Sequence, residues 1–427
     1  MSEKTKEWIR LDNAAKIYPA AKSRNWSALF RLSATLNEPV DPDVLQEAQK
    51  CVLARFFCFS LKLRRGLFWY YLEKSEGEPE IRPDVANPCG HMQLRKNRGF
   101  GFRVRYYRNR IAVEIFHVLT DGTGGLIFLK TLIAEYLRLK YGANIPRNNE
   151  ILDCTIPPLP EEIEDSFISY AKGVTRSRAE EDAFHIRGTD ETEAFVNVVT
   201  GSIPVSAVLS RSQEKGVSLT EYLTAVMILS VDAIQRRVVH SKRRWHPVKV
   251  SVPINLRRFF PTNTLRNFSS YVNPGIDPRY GEYSLDETLK MVHHFMGMEV
   301  NEKFLNAKFS TNVKTEQNTL LRIMPLFLKN IAMKIAFNLV GDRKTSTCIS
   351  NLGIANLPDT MRPYVTRMDF MLGPLSRNRV SCGAISYEGT LRLNFTRRIK
   401  EATLEREFFT RLVKLGIPVQ IESNQRW

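Results

Sequence analysis

Two short runs rich in β-branched and aromatic residues, 102–107 and 111–116, predict a pair of β-strands separated by three polar residues. Apolar residues alternate with arginines in the first run. From Leu126 the apolar positions recur every three or four residues as far as Gly142, which predicts a helix that ends at this glycine. Residues 117–125 therefore form a loop held at both ends by regular elements.

The second half of the chain shows the same mixture of patterns. Residues 196–199 predict a strand, and two serines each precede a glutamate by three residues at the start of an apolar run. This capping-box spacing, Ser218 with Glu221 and Ser284 with Glu287, predicts that a helix begins at each site. Strands and helices alternate in both halves, which predicts an α/β (α+β) fold.

The region between the two halves differs in composition. Residues 143–195 lose periodicity, gain prolines and contain clusters of acidic residues. This composition predicts a crossover linker over 143–195, between an N-terminal lobe over 1–180 and a C-terminal lobe over 195–427. A chain of 427 residues is long enough for two lobes.

The loop after the second strand contains His117, Asp121 and Gly122 at the spacing H-x-x-x-D-G. With seven histidines in the chain and about 0.05 each for a following Asp and Gly, roughly 0.02 accidental matches are expected. A neutral imidazole in such a loop can take a proton from a hydroxyl or amine as that group attacks a carbonyl. His117 is therefore the predicted general base, Asp121 a residue that shapes the loop, and Gly122 a position for close approach of backbone or ligand.

Four further segments follow this motif in an order that resembles a known group of proteins. Together with the loop, the chain is similar to the chloramphenicol acetyltransferase-like superfamily, which includes alcohol acetyltransferases, plant acyltransferases, wax ester synthases and the condensation domains of nonribosomal peptide synthetases. The resemblance implies two lobes of similar topology, each a mixed sheet flanked by helices, with the active-site channel between them. The segments are 250–257, 266–268, 349–353 and the hairpin 384–394.

The resemblance also suggests further site residues. It brings Arg257 near the loop, where its guanidinium is a candidate partner for Asp121; the alternative is an exposed arginine. Ser350 and Asn351 end a predicted strand and are candidate donors to the oxyanion formed when a thioester is attacked, although Ser-Asn-Leu-Gly is also an ordinary turn composition.

One position helps to choose within the superfamily. Condensation domains and wax ester synthases usually have two adjacent histidines, whereas Phe116 precedes His117 here. The single histidine resembles alcohol acetyltransferases and favours transfer of an acyl group from acyl-CoA to a hydroxyl or amine in a ternary complex. A condensation-type enzyme that takes its acyl group from a carrier-protein thioester and a non-catalytic binding relative stay open. In each catalytic case the thioester is a co-substrate, and no bound cofactor is expected.

The formal net charge of +17 predicts either a solvated basic surface or an anionic partner. Coenzyme A, an acidic carrier protein and an anionic membrane are candidate partners. The sequence shows no nucleic-acid-binding module, so no nucleic-acid partner is expected. Six widely spaced cysteines without a C-x-x-C pair suggest neither a metal site nor a disulfide framework.

No stretch approaches the ~20 apolar residues of a transmembrane helix, and the first residues lack the apolar segment of a signal peptide, so a cytoplasmic protein is expected. The most apolar region, 321–340, contains Arg322, Lys329 and Lys334 and could contact a membrane peripherally. Pro325 and the family resemblance favour a packed, kinked helix there instead.

Overall fold

The structure is a computed structural model that describes residues 8–21, 28–74, 77–176, 180–337, 341–373, 375 and 377–424. The strands in this part of the chain are β1 (Trp8–Arg10), β2 (Leu29–Leu36), β3 (Leu61–Arg65), β4 (Tyr70–Lys74), β5 (Arg82–Pro83), β6 (Phe102–Tyr107), β7 (Arg110–Phe116), β8 (Asn197–Pro204), β9 (Val248–Asn255), β10 (Ser269–Val272), β11 (Gly275–Ile276), β12 (Thr347–Ile354), β13 (Val365–Leu372), β14 (Val380–Tyr387), β15 (Thr390–Arg397) and β16 (Gln420–Ser423).

Helices cover the sheets and connect their strands. The α-helices in the described residues are α1 (Ile17–Ala21), α2 (Pro42–Arg55), α3 (Gly122–Tyr141), α4 (Ser166–Tyr170), α5 (Val205–Glu214), α6 (Leu219–Val238), α7 (Leu285–Glu299), α8 (Glu302–Gln317), α9 (Thr319–Ile323), α10 (Leu326–Ala336) and α11 (Thr403–Lys414).

Two mixed sheets form the two halves of the molecule. The first has the strand order β13-β2-β7-β6-β5, and the second has the order β10-β9-β12-β14-β15-β8-β16 with β11 beside β9. Strand β12 runs parallel to β9 and β14, and β5 runs parallel to β6, whereas the other pairs in these two sheets are antiparallel. A small third sheet joins β1, β4 and β3. The predicted α/β class with mixed sheets is confirmed.

Each large sheet has its own hydrophobic core. Side chains of α2 and α3 pack with the first sheet, and side chains of α6, α7 and α11 pack with the second. Strand β13 lies in the range predicted as the C-terminal lobe but pairs along β2 in the first sheet. Strand β13 therefore belongs to the first sheet, although its sequence neighbours β12 and β14 belong to the second. The boundaries 1–180, 143–195 and 195–427 stay a prediction.

Local sequence patterns account well for the elements around the loop. Strand β6 has the predicted bounds, β7 begins one residue earlier than predicted, and both capping boxes form at the starts of α6 and α7. Helix α3 begins at Gly122, four residues before the first apolar position, because the Asp121 side chain caps it by accepting a hydrogen bond from Gly124 N. It ends at Gly142, whose φ of 65° lies in the left-handed region.

The apolar region around Pro325 departs from its prediction in one respect. The predicted kink is present as a break between α9 and α10, and residues 338–340 lie outside the described part of the chain. The prediction of a packed helix is wrong for one side, because Phe327 and Ile331 are each 57% exposed. Lys329 is buried instead, with its ammonium group over the ring of Trp69.

Within the described residues, no single helix is long and apolar enough to cross a membrane. Helices α5 and α6 meet the length and composition criterion only as a pair, and they are bent by 86° where they join.

Candidate active site

His117 lies directly after β7, where the first sheet ends. Its backbone N–H donates to Ala28 O at 3.0 Å, which ties the start of the loop to the neighbouring strand. The imidazole is partly buried and stacks on the Tyr18 ring at 4.9 Å, while Phe30 contacts it at a tilt, also at 4.9 Å. Burial lowers the pKa of His117 below its usual value, although Asn267 and the charge of Asp121 act in the opposite direction. The ring is therefore neutral near about pH 7 and can accept a proton.

A hydrogen bond with Asn267 sets the tautomer of this imidazole. Asn267 Nδ2 lies 2.9 Å from His117 O, and because a carbonyl oxygen only accepts, this atom of the amide must be the nitrogen donor. The other amide atom, Oδ1, lies 3.1 Å from His117 Nδ1. Nδ1 must then carry the proton and donate it to Oδ1. In the neutral ring, Nε2 is left with its lone pair, as a general base requires.

The same amide connects His117 to a buried acid near the start of the chain. Asn267 Nδ2 donates its second hydrogen bond to Asp12 Oδ2 at 3.0 Å, and Asp12 Oδ1 accepts from Ala15 N at 2.7 Å. Arg266 Nε lies 3.6 Å from Asp12 Oδ2. Asp12 is completely buried, and burial raises its pKa despite the positive charge of Arg266.

The structure brings Asp121 and Arg257 together. Arg257 Nη1 donates to Asp121 Oδ2 at 2.8 Å, and the other guanidinium nitrogens donate to the backbone oxygens of Thr264 and Arg266. Both side chains are largely buried. Burial alone would raise the pKa of Asp121, but the charge and hydrogen bond of Arg257 lower it below its usual value.

The Asp121 carboxylate accepts three hydrogen bonds from the protein. Its Oδ1 accepts from Gly124 N at 3.1 Å, and its Oδ2 also accepts from Phe268 N at 2.8 Å. The bond to Phe268 N fixes the backbone next to Asn267, so the ion pair with Arg257 also positions the residue that orients His117. Asp121 is thus connected to His117 indirectly, through the backbone next to Asn267.

Glycine at position 124 allows the two halves to approach closely. A Cβ atom there would lie 2.1 Å from Thr120 Oγ1 and 2.4 Å from Leu265 O, both impossible distances. Thr120 Oγ1 instead donates to Leu265 O at 2.5 Å. A side chain at Gly122 would meet Leu352 Cδ2 at 2.7 Å, so β12 ends against the first turn of α3.

This contact places the end of β12 beside the loop. Ser350 is buried, and Asn351 is partly buried. Asn351 Nδ2 donates to Thr220 Oγ1 at 3.1 Å, and Asn351 Oδ1 accepts from Gly353 N at 2.8 Å. The Asn351 side chain therefore has structural partners, and the role of both residues as oxyanion donors stays a prediction.

A family model described as alcohol acetyltransferase matches residues 175–386. The matched range contains Arg257, Asn267, Ser350 and Asn351 and begins after the loop that contains His117. Comparison with curated protein sequences gives no significant match.

Solved structures with this fold cover almost the whole chain. TRI101 of Fusarium sporotrichioides, complexed with coenzyme A and T-2, has a TM-score of 0.65 and 11% identity over 98% of this chain and 100% of that one. Polyketide synthase associated protein 5 of Mycobacterium tuberculosis has a TM-score of 0.60 and 14% identity, covering 95% and 97%. The first condensation domain of the calcium-dependent antibiotic synthetase has a TM-score of 0.59 and 15% identity, covering 95% and 96%.

Over residues 175–386 the chain is similar to the alcohol acetyltransferase family, and its fold is that of these acetyltransferases and condensation domains. The two-lobed fold predicted from the sequence is confirmed, and the family match supports a transferase that acts on acyl groups.

Other residues that could carry chemistry have different surroundings. His293, in the adjacent pair His293-His294, lies on α7 and contacts Glu221 at 3.0 Å, away from any loop of the H-x-x-x-D-G type. Burial raises the pKa of the Cys58 thiol to about 11 and that of Cys154 to about 12, so both are weak nucleophiles. Among the described residues, no group of three or more His, Cys, Asp and Glu side chains could hold a metal ion.

Three residues around His117 were not predicted from the sequence. Asn267 stood in a segment used only for the resemblance, where a polar residue between Arg266 and Phe268 was the available signal. Asp12 and Tyr18 lie in an N-terminal stretch without strong periodicity, and no local pattern connects either residue to His117.

Proposed function

We propose that this protein transfers an acyl group from acyl-CoA to a hydroxyl or amine acceptor, with His117 as the general base. The observation that carries the proposal is the bond from His117 Nδ1 to Asn267 Oδ1, because it leaves Nε2 as the basic nitrogen. A partly exposed imidazole with a lowered pKa is suited to accept the acceptor's proton near about pH 7.

The proposed reaction is direct attack in a ternary complex. The acceptor oxygen or nitrogen forms a bond to the thioester carbonyl carbon while its proton moves to His117 Nε2. The tetrahedral intermediate then collapses, the carbon–sulfur bond breaks, and the imidazolium returns the proton to the coenzyme A thiolate. The Ser350 hydroxyl, beside the loop at the end of β12, is the proposed donor to the oxyanion.

Asp121 and Arg257 have a positioning role in this proposal. Their ion pair holds the backbone at Phe268 and thereby the Asn267 amide that orients the base. A carboxylate that already accepts three hydrogen bonds has no need of a substrate partner.

The test is a screen of acyl-CoA donors of increasing chain length against alcohols and amines, with release of free thiol as the readout. Thiol release that depends on an acceptor supports the proposal. Release only from a carrier-protein thioester identifies the condensation-type alternative. Tight binding of acyl-CoA without turnover, measured by calorimetry, identifies a binding relative.

A second measurement tests the absence of a covalent intermediate. We expect intact-protein mass spectrometry after incubation with acyl-CoA alone to show no stoichiometric acyl adduct, because the mechanism uses the base directly on the acceptor. Initial rates at varied donor and acceptor should give intersecting lines. An adduct that transfers its acyl group when the acceptor is added would overturn this mechanism.

A further inference from the structure

Helices α9 and α10 expose large apolar side chains in a region where the sequence predicts a packed helix. These side chains are between 44% and 73% exposed. Single exposed apolar residues are common, but a contiguous group is not and marks an interaction site. The residues are Leu320, Ile323, Phe327, Leu328, Ile331 and Ile335.

Helical spacing aligns the four members of this group on α10. Phe327, Ile331 and Ile335 follow each other at intervals of four residues, with Leu328 beside them, so they share one side of the helix. The opposite side contains Leu326 and Lys329, which are both 2% exposed. Helix α10 therefore has a buried side that is already packed and an apolar side that faces outward.

The turn between β3 and β4 packs on the buried side of α10. Leu326 N donates to Leu67 O at 2.8 Å, and Lys329 Nζ donates to Phe68 O at 2.9 Å. These contacts hold α10 with its other side outward. We call the four aligned residues of α10, Phe327, Leu328, Ile331 and Ile335, the apolar face.

The segments that carry the exposed apolar side chains contain basic but no acidic residues, and the nearest acids, Glu316 and Glu73, are paired with Lys16 and Arg64. Residues 319–337 include Arg322, Lys329 and Lys334 but neither aspartate nor glutamate, and residues 61–72 include three basic residues and no acidic one. Arg322 and Lys334 are exposed. A surface that combines large apolar side chains with basic groups fits the boundary of a bilayer with anionic head groups, where the first enter the acyl region and the second meet the lipid phosphates.

We propose that the apolar face binds the surface of an anionic lipid bilayer. A second copy of the chain is a poorer occupant, because a symmetric dimer on this face would bring the Arg322 and Lys334 groups of both copies together. Lipid binding at this face does not require acyl transfer, so its test is independent of the proposed function.

The experiment is co-sedimentation of the full chain with vesicles of phosphatidylcholine alone or of phosphatidylcholine mixed with phosphatidylglycerol. We expect binding to the mixed vesicles, with weaker binding at high salt. The double variant Phe327→Ser/Ile331→Ser should reduce the partition coefficient by about tenfold or more, since it removes two inserted side chains. The double variant Arg322→Gln/Lys334→Gln should reduce it by about tenfold.

Matched control variants change the same residue types elsewhere. Val413→Ser/Ile421→Ser removes two apolar side chains that are 56% and 49% exposed outside the apolar face, and Arg243→Gln/Arg244→Gln removes two exposed basic residues. Both controls should bind vesicles like the wild type. Equal thermal midpoints for the four variants would show that loss of binding does not reflect unfolding.

Position-specific contact provides a second measurement. A tryptophan introduced by Phe327→Trp should be quenched by brominated lipids in mixed vesicles, whereas one introduced by Val413→Trp should not. The proposal is overturned if the wild type does not bind mixed vesicles, or if the apolar-face variants bind as well as their controls. It is also overturned if the wild type is a dimer that only the apolar-face variants dissociate and no variant differs in vesicle binding.

Discussion

Two buried aspartates, Asp121 and Asp12, contact adjacent residues of the same segment, but their pKa values are shifted in opposite directions. Asp121 accepts a hydrogen bond from Phe268 N, and Asp12 accepts one from Asn267 Nδ2. Asp121 also forms an ion pair with Arg257 at 2.8 Å, whereas Arg266 approaches Asp12 only to 3.6 Å. The pKa of Asp121 is lowered below its usual value, and the pKa of Asp12 is raised by burial.

The difference shows that a close cation, and not burial alone, sets the direction in which the pKa of a buried carboxyl shifts. Asp121 and Arg257 compensate each other, so removing one charge leaves the other uncompensated in the interior. Asp12 ends a chain of hydrogen bonds that runs through Asn267 to His117. At this end the Asn267 amide requires a hydrogen-bond acceptor, which a neutral side chain can also provide. Asp121 is connected to His117 through an ion pair and the loop backbone, and Asp12 is connected to it through hydrogen bonds. Substitutions at each aspartate can therefore distinguish the two connections.

The largest effect is expected at His117, to which both aspartates are connected. His117→Ala should lower kcat by about 10² to 10⁴ while the protein stays folded, with at most a moderate fall in the thermal midpoint from the lost contacts with Tyr18, Phe30 and Asn267. His294→Ala, an exposed histidine on α7, is the matched control and should keep normal turnover. Near-normal turnover of the His117 variant would refute the general-base role.

The next largest effect is expected at the ion pair. Asp121→Asn should lower both activity and stability, the latter by about 3 kcal/mol in denaturant unfolding, because the Arg257 guanidinium stays buried without its counter-charge. The double variant Asp121→Asn/Arg257→Met should lose less stability than the sum of its single variants. Loss of activity with unchanged stability and loop structure would instead favour direct participation of Asp121 in the chemistry.

Local patterns in the sequence predict the elements that carry the base, because strand alternation and helix spacing are properties of neighbouring residues. They place β6, β7 and α3 correctly and identify the loop between them. The sequence also names Arg257 as a partner for Asp121, although 136 residues separate them, but only through the family resemblance.

Contacts between distant segments have no such local signal. Asn267 lies 150 residues from His117 and 255 residues from Asp12, and β13 joins the first sheet from near the end of the chain. The exposure of α10 also depends on which segments pack against it, and the residue pattern of the helix does not determine this packing. The sequence therefore predicts His117 and its loop. Asn267 and Asp12, which reach His117 from distant segments, are identified only from the three-dimensional structure.

A smaller effect is expected when Asn267, which lies between the two aspartates and His117, is replaced. Asn267→Ala should reduce kcat by about tenfold, because the ring loses the bond that selects its tautomer. The pKa on the acid side of the kcat profile should fall further below the usual histidine value, since the Asn267 bond raises the pKa of His117. Activity is then lost at a lower pH than in the wild type. An unchanged profile with a lower rate would indicate a purely structural role.

The smallest effect is expected at Asp12, and it is the sharpest test of the comparison because it repeats the change made at Asp121. Asp12→Asn keeps one oxygen that can accept from Asn267 Nδ2 but sets an NH2 group opposite Ala15 N, so kcat should change by less than about threefold and stability should fall by about 1 to 2 kcal/mol. Asp12→Ala removes the acceptor and should cost about 1 to 3 kcal/mol in denaturant unfolding. If Asp12→Asn instead proved as damaging as Asp121→Asn, the charge of Asp12 would be essential, and the distinction between a buried carboxyl with a close cation and one with a more distant cation would not hold in this protein.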